Sequence, residues 1–267
     1  MLIDSHCHLD AAEFGDTSAT LARQAAEAGV RWIVVPAVAK ANFGAVARLA
    51  ATLPQCVYAL GIHPMYVQQA DDHDLHVLRE QVAAALPDPR FVGIGEIGLD
   101  FFIPELKEGP LRERQEYFYV EQLKIARTFG LPVILHVRRS QDVLLKHLRR
   151  VRVAGGIAHA FNGSQQQAQA FTELNFVLGF GGAMTFPRSL QIRRLAAVLP
   201  ANAIVLETDA PDISPAWLHP GINAPAQLPR IAAVLAELRG QPLADIARQT
   251  SDNVARVLPR LGNLMMR

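Results

Sequence analysis

Cysteine is scarce. The 267-residue chain has only Cys7 and Cys56, too few for a disulfide framework, so a disulfide-stapled fold is excluded and a reducing cytoplasm is the expected compartment. A charge excess is also missing: 26 basic against 25 acidic residues leave a net +1. That balance gives no bulk attraction to nucleic acid or to an anionic membrane, though it permits a local anion site. No apolar run is long enough to span a bilayer. The N-terminal segment MLIDSH lacks the basic region and apolar stretch of a signal peptide. Low-complexity tracts, linkers and breaks in composition are absent as well. The expectation is a soluble, cytoplasmic protein with no membrane association and no obligate protein partner.

What the chain does have is apolar material, 50% of its residues, enough for a sizeable core. It is distributed in eight short β-rich runs, each followed by a helical pattern. The runs are Leu2–Ser5, Arg31–Pro36, Val57–Ile62, Phe91–Ile97, Pro132–Val137, Gly156–Ala160, Phe176–Phe180 and Ala203–Glu207. Helix signals lie between them: Thr17 or Ser18 as a cap, a start near Asp71 and Asp72, Pro110 and Gly130 bracketing a long helix, and Ser140 as a cap. Two helices, roughly 225–239 and 242–258, end the pattern. Eight strand–helix units with runs apolar on both faces predict parallel strands joined by right-handed crossovers. The expected architecture is α/β, a (β/α)₈ TIM barrel, with residues 1–267 as a single domain. An open doubly wound sheet is the alternative that the repeat alone leaves standing.

The ionisable residues are placed where such a barrel would use them. Five of nine histidines, His6, His8, His63, His136 and His159, lie at or just past the end of an apolar run, and those ends share one rim. The other four, His73, His76, His147 and His219, fall in helical or loop patterns, where a surface role is expected. His6 and His8 are two apart, so both imidazoles face the barrel mouth together and suit a divalent cation. Asp4 shares that face but sits deeper, a partner behind the ligands. Glu96, in GEIGLD, is a carboxylate ending an apolar strand; burial there is costly unless it is paired or bound to a cation. One carboxylate can bridge two metals, which makes Glu96 the candidate shared ligand. Asp100 is read as at least as much a turn residue.

His136 in LHVR and His159 in HAFNG end adjacent strands of the same rim and join the ligand set. Asp209 in ETDAP is both a metal ligand and a general base, able to take a proton from water. Glu207 lies deeper, in a structural polar contact. His63 in GIHP is assigned substrate binding or proton transfer. Arg138 shares a face with His136, placed either to contact an anionic substrate or to sit on the surface. Arg139, Arg149, Arg150 and Arg152 are read as a solvated helix face.

As a set, the segments DSHCHLD, GIHP, GEIGLD, LHVR, HAFNG and ETDAP resemble the TatD family of metal-dependent deoxyribonucleases within the amidohydrolase superfamily, with HVRRS, GGAMTFPR and ETDAPD most like its YjjV-like branch. The resemblance implies a two-metal site: His6, His8 and Asp209 on one ion, His136 and His159 on the other, Glu96 between them. It also implies hydrolysis of DNA phosphodiesters, with His63 near the substrate. Ala160 and Asn162 stand where the family usually has Cys and Ser, and its Asn-Glu-Pro segment reads Asn223-Ala224-Pro225 here. These departures touch loops of the substrate pocket and leave the ligands intact.

The expected mechanism is attack on phosphorus by a water activated between two divalent ions (Zn, Mn, Mg or Co), with Asp209 as base and DNA or a phosphorylated small molecule as substrate. Two other readings remain at this point. One is a hydrolase of a small-molecule amide, lactone or phosphoester; related barrels often bridge their metals with a modified lysine, and Glu96 in that place leans away from them. The other is a non-catalytic metal-binding protein, which six ligands with an open position fit poorly.

Overall fold

Each of the eight apolar runs forms a strand in the computed structural model, which describes residues 1–266. They are β1 (Leu2–Asp4), β2 (Val30–Pro36), β3 (Cys56–Leu60), β4 (Phe91–Asp100), β5 (Val133–Arg138), β6 (Gly156–Ala158), β7 (Phe176–Phe180) and β8 (Ile204–Leu206). All neighbours pair in parallel and in chain order. The helices between them are α1 (Ser18–Glu27), α2 (Phe43–Thr52), α3 (Asp72–Ala85), α4 (Pro104–Lys107), α5 (Gly109–Phe129), α6 (Gln141–Arg150), α7 (Gln165–Glu173) and α8 (Leu190–Val198). After β8 come α9 (Leu228–Arg239), α10 (Leu243–Val257) and α11 (Pro259–Met265).

The sheet curls until β8 meets the end of β1. Ser5 N–H donates to Leu206 O (3.0 Å), Asp209 N–H to His6 O (2.9 Å), and His8 N–H to Ala210 O (2.8 Å). An open doubly wound sheet would leave those edges apart, so the barrel reading holds. Its interior is a single cluster to which every strand contributes: Ile3, Val34, Val57, Val92, Ile134, Ile157, Val177 and Val205, all at most 2% exposed. Strand alternation turns these residues inward, and β-branched side chains fill the space between curved strands with few rotamers to lose.

The N-terminal end of the barrel is plugged from α10 and α11 by Val254, Val257, Leu258 and Leu261. Arg260 ties the plug to the start of β4 through Phe91 O, Leu86 O and Asp88 O. The sequence predicts two closing helices, whereas there are three. Leu258 is non-helical (φ −115°, ψ 73°) and Pro259 restarts a helix at its first position, a use of proline that reads from sequence as a terminator. Ser140 also departs from expectation: its hydroxyl donates to Leu99 O (2.6 Å) instead of capping α6, and so anchors the β5–α6 turn to β4. Among the described residues no helix is long and apolar enough to cross a membrane.

With the lower end sealed by apolar packing, the chemistry is confined to the opposite rim. Truncating the fully buried Leu261 to alanine should cost about 2–5 kcal/mol through lost burial and a residual cavity. Urea unfolding is the check; an unchanged midpoint would mean that α11 does not support the barrel.

Candidate metal centre

At the C-terminal rim, β1, β4, β5, β6 and β8 deliver their end residues to one point. Glu96, 1% exposed, is its centre. Its Oε2 lies 3.0 Å from His6 Nε2 and 3.2 Å from His8 Nε2. Its Oε1 lies 2.8 Å from His136 Nδ1, 3.0 Å from His159 Nε2 and 3.2 Å from His63 Nε2. Asp209 Oδ1 completes one side, 3.5 Å from His6 Nε2 and 3.8 Å from His8 Nε2. All seven rim residues singled out from the sequence are therefore within one cluster, and Glu96 presents a different oxygen to each half of it.

These separations fit a metal centre. Tetrahedral donors at about 2.0–2.2 Å from an ion stand about 3.3–3.6 Å apart; His6 Nε2 and His8 Nε2 are 3.2 Å apart, and His136 Nδ1 and His159 Nε2 are 3.4 Å apart. Two triads that share His6, His6/His8/Asp209 and His6/Glu96/His159, each bring their donor atoms within 4.8 Å. Among the described residues Glu96 Oε2, at the point where the His6 and His8 Nε2 atoms converge, has no hydrogen-bond partner in usable geometry. An orphaned buried carboxylate oxygen is costly unless a cation is its partner.

Electrostatics follow from burial. Desolvation alone would raise the Glu96 carboxyl, but the His63, His159 and His6 imidazoles around it hold it well below its usual range. Burial pushes Asp209 up to about 6 against the pull of His159 and His8, close to the range in which a general base is most effective. Burial lowers His63 to about 4, so it is neutral at physiological pH. Its Nδ1 accepts the Met65 N–H (3.2 Å), which leaves the ring proton on Nε2, facing Glu96 Oε1. That tautomer makes His63 a donor, whereas a ligand would present a lone pair.

A further ring of polar groups orients the cluster. Asp100 Oδ2 lies 3.1 Å from His136 Nε2, while its Oδ1 accepts the Phe102 and Ile103 N–H groups at 2.8 and 3.2 Å. The turn role expected of Asp100 and a ligand-orienting role are filled by two oxygens of one side chain. Asp4, expected behind the ligands, accepts the Thr208 hydroxyl (2.6 Å) and N–H (2.9 Å) and so links the ends of β1 and β8. Glu207 accepts the Ala160 N–H and lies 3.7 Å from His159 Nδ1. Gly179 makes room for it, since a Cβ there would stand 2.1 Å from Glu207 Oε2. The Asn223 amide donates to Thr208 O (2.8 Å) and Asp212 O (3.1 Å), holding the loop after β8 in place.

The cluster floors a cavity of about 940 Å³ whose walls include Asp10, Glu13, Asn42, Phe102, Arg138, Arg139 and Asp212. Arg138 is exposed at this mouth, 3.6 Å from Asp100 Oδ2. Two sequence expectations need correction. Arg139 does not lie on a solvated helix face; it lines the cavity at the end of β5 because the helix starts two residues later, at Gln141. His147 is not a surface residue: its side chain is 12% exposed and pairs with Glu116 Oε2 at 3.0 Å, joining α6 to α5. Phe102 was not singled out at all, because an aromatic after an apolar strand reads as core.

The chain is similar to known proteins along almost its whole length. Residues 3–259 match the family model described as TatD related DNase. The chain is 42% identical over 253 residues to YjjV of Escherichia coli strain K12, named an uncharacterized metal-dependent hydrolase, covering 94% of this chain and 95% of that protein. The crystal structure of the Escherichia coli K12 YjjV, a TatD homolog, superposes with a TM-score of 0.91 at 39% identity, covering 97% of this chain and 98% of that one. A protein of Escherichia fergusonii named 3′-5′ ssDNA/RNA exonuclease TatD is 28% identical over 260 residues, 95% of this chain and 97% of that protein.

Asp100→Asn keeps an acceptor for the Phe102 and Ile103 amides but sets an NH₂ donor against His136 Nε2. It is expected to weaken metal affinity about 10–100-fold, read by competition with a chromogenic chelator. Wild-type affinity would remove Asp100 from the ligand-orienting shell.

Proposed function

This chain belongs to the TatD related DNase family and is a metal-dependent hydrolase, and on that premise we propose that it cleaves phosphodiester bonds of DNA. The observation that carries the reading is the division of Glu96, with one oxygen turned to His6 and His8 and the other to His136 and His159. A buried carboxylate used at both oxygens is the arrangement of a bridging ligand in a two-metal phosphoesterase site. His6, His8 and Asp209 would hold one ion and His136 and His159 the other. When bound, divalent ions (Zn, Mn, Mg or Co) would neutralise charge at phosphorus and make water more acidic.

The protein's own groups carry the rest. Asp209 takes a proton from water, whose oxygen bonds to phosphorus as the bond to the departing sugar oxygen breaks; that oxygen takes a proton from solvent as it leaves, and Asp209 returns its own to solvent. Arg138, exposed at the mouth beside Asp100, supplies N–H donors to a phosphate oxygen. His63, neutral with its proton on Nε2, donates to Glu96 Oε1 and braces it from the side opposite His6 and His8, and it lines the cavity where the substrate would lie. Residues 1–267 act as one hydrolase domain, and nucleic acid is the proposed partner. The name of the Escherichia fergusonii relative supports that choice, as does the basic edge of the cavity at Arg138 and Arg139.

Asp209→Asn should lower turnover at least about 10³-fold, since it removes both a base and a ligand, with an unchanged circular dichroism spectrum. Release of nucleotides from single-stranded DNA, assayed with added metal beside an amide and lactone panel, tests the reading. Turnover of the panel without release from DNA would overturn it in favour of small-molecule hydrolysis.

A further inference from the structure

Three side chains of the cavity mouth lie outside the ligand cluster and form one unit. Phe102 is 46% exposed although its backbone is fixed by Asp100. The guanidinium carbons of Arg138 and Arg139 stand 3.9 and 4.6 Å from the centroid of its ring. Consecutive residues of an extended strand point to opposite faces, so two adjacent arginines on one ring need a break in the backbone. Arg139 supplies it with φ 57°, a left-handed conformation that is uncommon for a residue with a long side chain and that concentrates at ligand-binding segments.

The unit is wired to the reaction centre. Arg138 Nη1 lies 3.6 Å from Asp100 Oδ2, and the same oxygen lies 3.1 Å from His136 Nε2. Across the cavity the wall is acidic, with Asp10, Glu13 and Asp212, so an anionic chain is confined to the arginine side. A bare phosphate would need only the guanidinium groups. An exposed aromatic ring with guanidinium groups against it is a kind of surface on which unpaired bases stack, and stacking tolerates any base.

We propose that Phe102, Arg138 and Arg139 form a nucleotide subsite for the unpaired nucleotide beside the scissile phosphate. The base stacks on the Phe102–guanidinium layer, and its phosphate takes the arginine N–H donors. The subsite rests on the phosphodiester reading above, and it selects single strands because a paired base is not free to stack.

The test uses the metal-loaded enzyme and two short single-stranded oligonucleotides: one all-thymidine, the other carrying abasic residues at the two nucleotides flanking the cut. Phe102→Ala should raise KM about tenfold on the thymidine strand, Phe102→Tyr should restore it to within about twofold, and the Phe102→Ala effect should vanish on the abasic strand. Arg139→Ala should raise KM on both strands, since both carry the phosphate. A Phe102→Ala KM within about twofold of wild type on thymidine, or an equal loss on both strands, overturns the subsite while leaving phosphodiester hydrolysis in place. If the wild-type enzyme releases nucleotides from neither strand, the phosphodiester reading falls and the subsite falls with it.

Discussion

A single buried carboxylate organises this molecule. Glu96 sits among His6, His8, His63, His136 and His159 at 2.8–3.2 Å, with almost no access to water. Isolated, such a charge would cost far more than a fold of this size can spare. It is tolerable because imidazoles surround it and because their convergent nitrogens suit cations that neutralise it. His6 stacks on His159 with centroids 3.9 Å apart; burial holds the His6 imidazole well below its usual range, whereas Glu96 and Asp209 overcome burial and hold His159 well above it, so the stacked rings do not carry like charge.

Convergence of that kind depends on the closed barrel. His6 and Asp209 come from opposite ends of the chain and meet only because β8 returns to β1. The Asp209 N–H to His6 O bond and the Asp4 clamp on Thr208 close the barrel and set the ligands in one stroke. Asp209 itself is left-handed, φ 56°, a conformation that aspartate tolerates better than most residues. The plug at the other end does complementary work. By filling the lower barrel with aliphatic side chains, it leaves the polar residues of the strands with the rim as their place.

The barrel was legible because its two periodicities are unmistakable: short β-branched runs alternate with helical stripes eight times. The convergence of His136 and His159 was legible because a polar residue that ends an apolar run breaks the pattern at a predictable height. What escaped had no such contrast. Phe102 is apolar beside an apolar strand, so its exposure is a fact of tertiary structure alone. Arg139 was hidden by one backbone dihedral, since neither the left-handed turn nor the later helix start shows in residue type. Pro259 follows the end of the last expected helix, and only the burial of Leu258 and Leu261 in the barrel plug shows that a helix resumes there.

The near-zero net charge also takes on meaning from the structure. A broad basic surface would attract nucleic acid everywhere, and a net charge of +1 gives no such general attraction. The cavity instead separates its charges, with arginines on the β4–β5 side and carboxylates at Asp10, Glu13 and Asp212 on the other. A polyanion lying across the mouth would meet repulsion on one half of its path. One that enters along the arginines and ends over Glu96 would not. Such a field adds little to affinity over the whole surface but orients a strand within the last few ångströms, where Debye screening no longer acts. The same separation suits the proposed reaction. Cations held by the histidines would neutralise the carboxylates of the cluster, and the phosphate of the proposed substrate would find its remaining counter-charge in the arginines above.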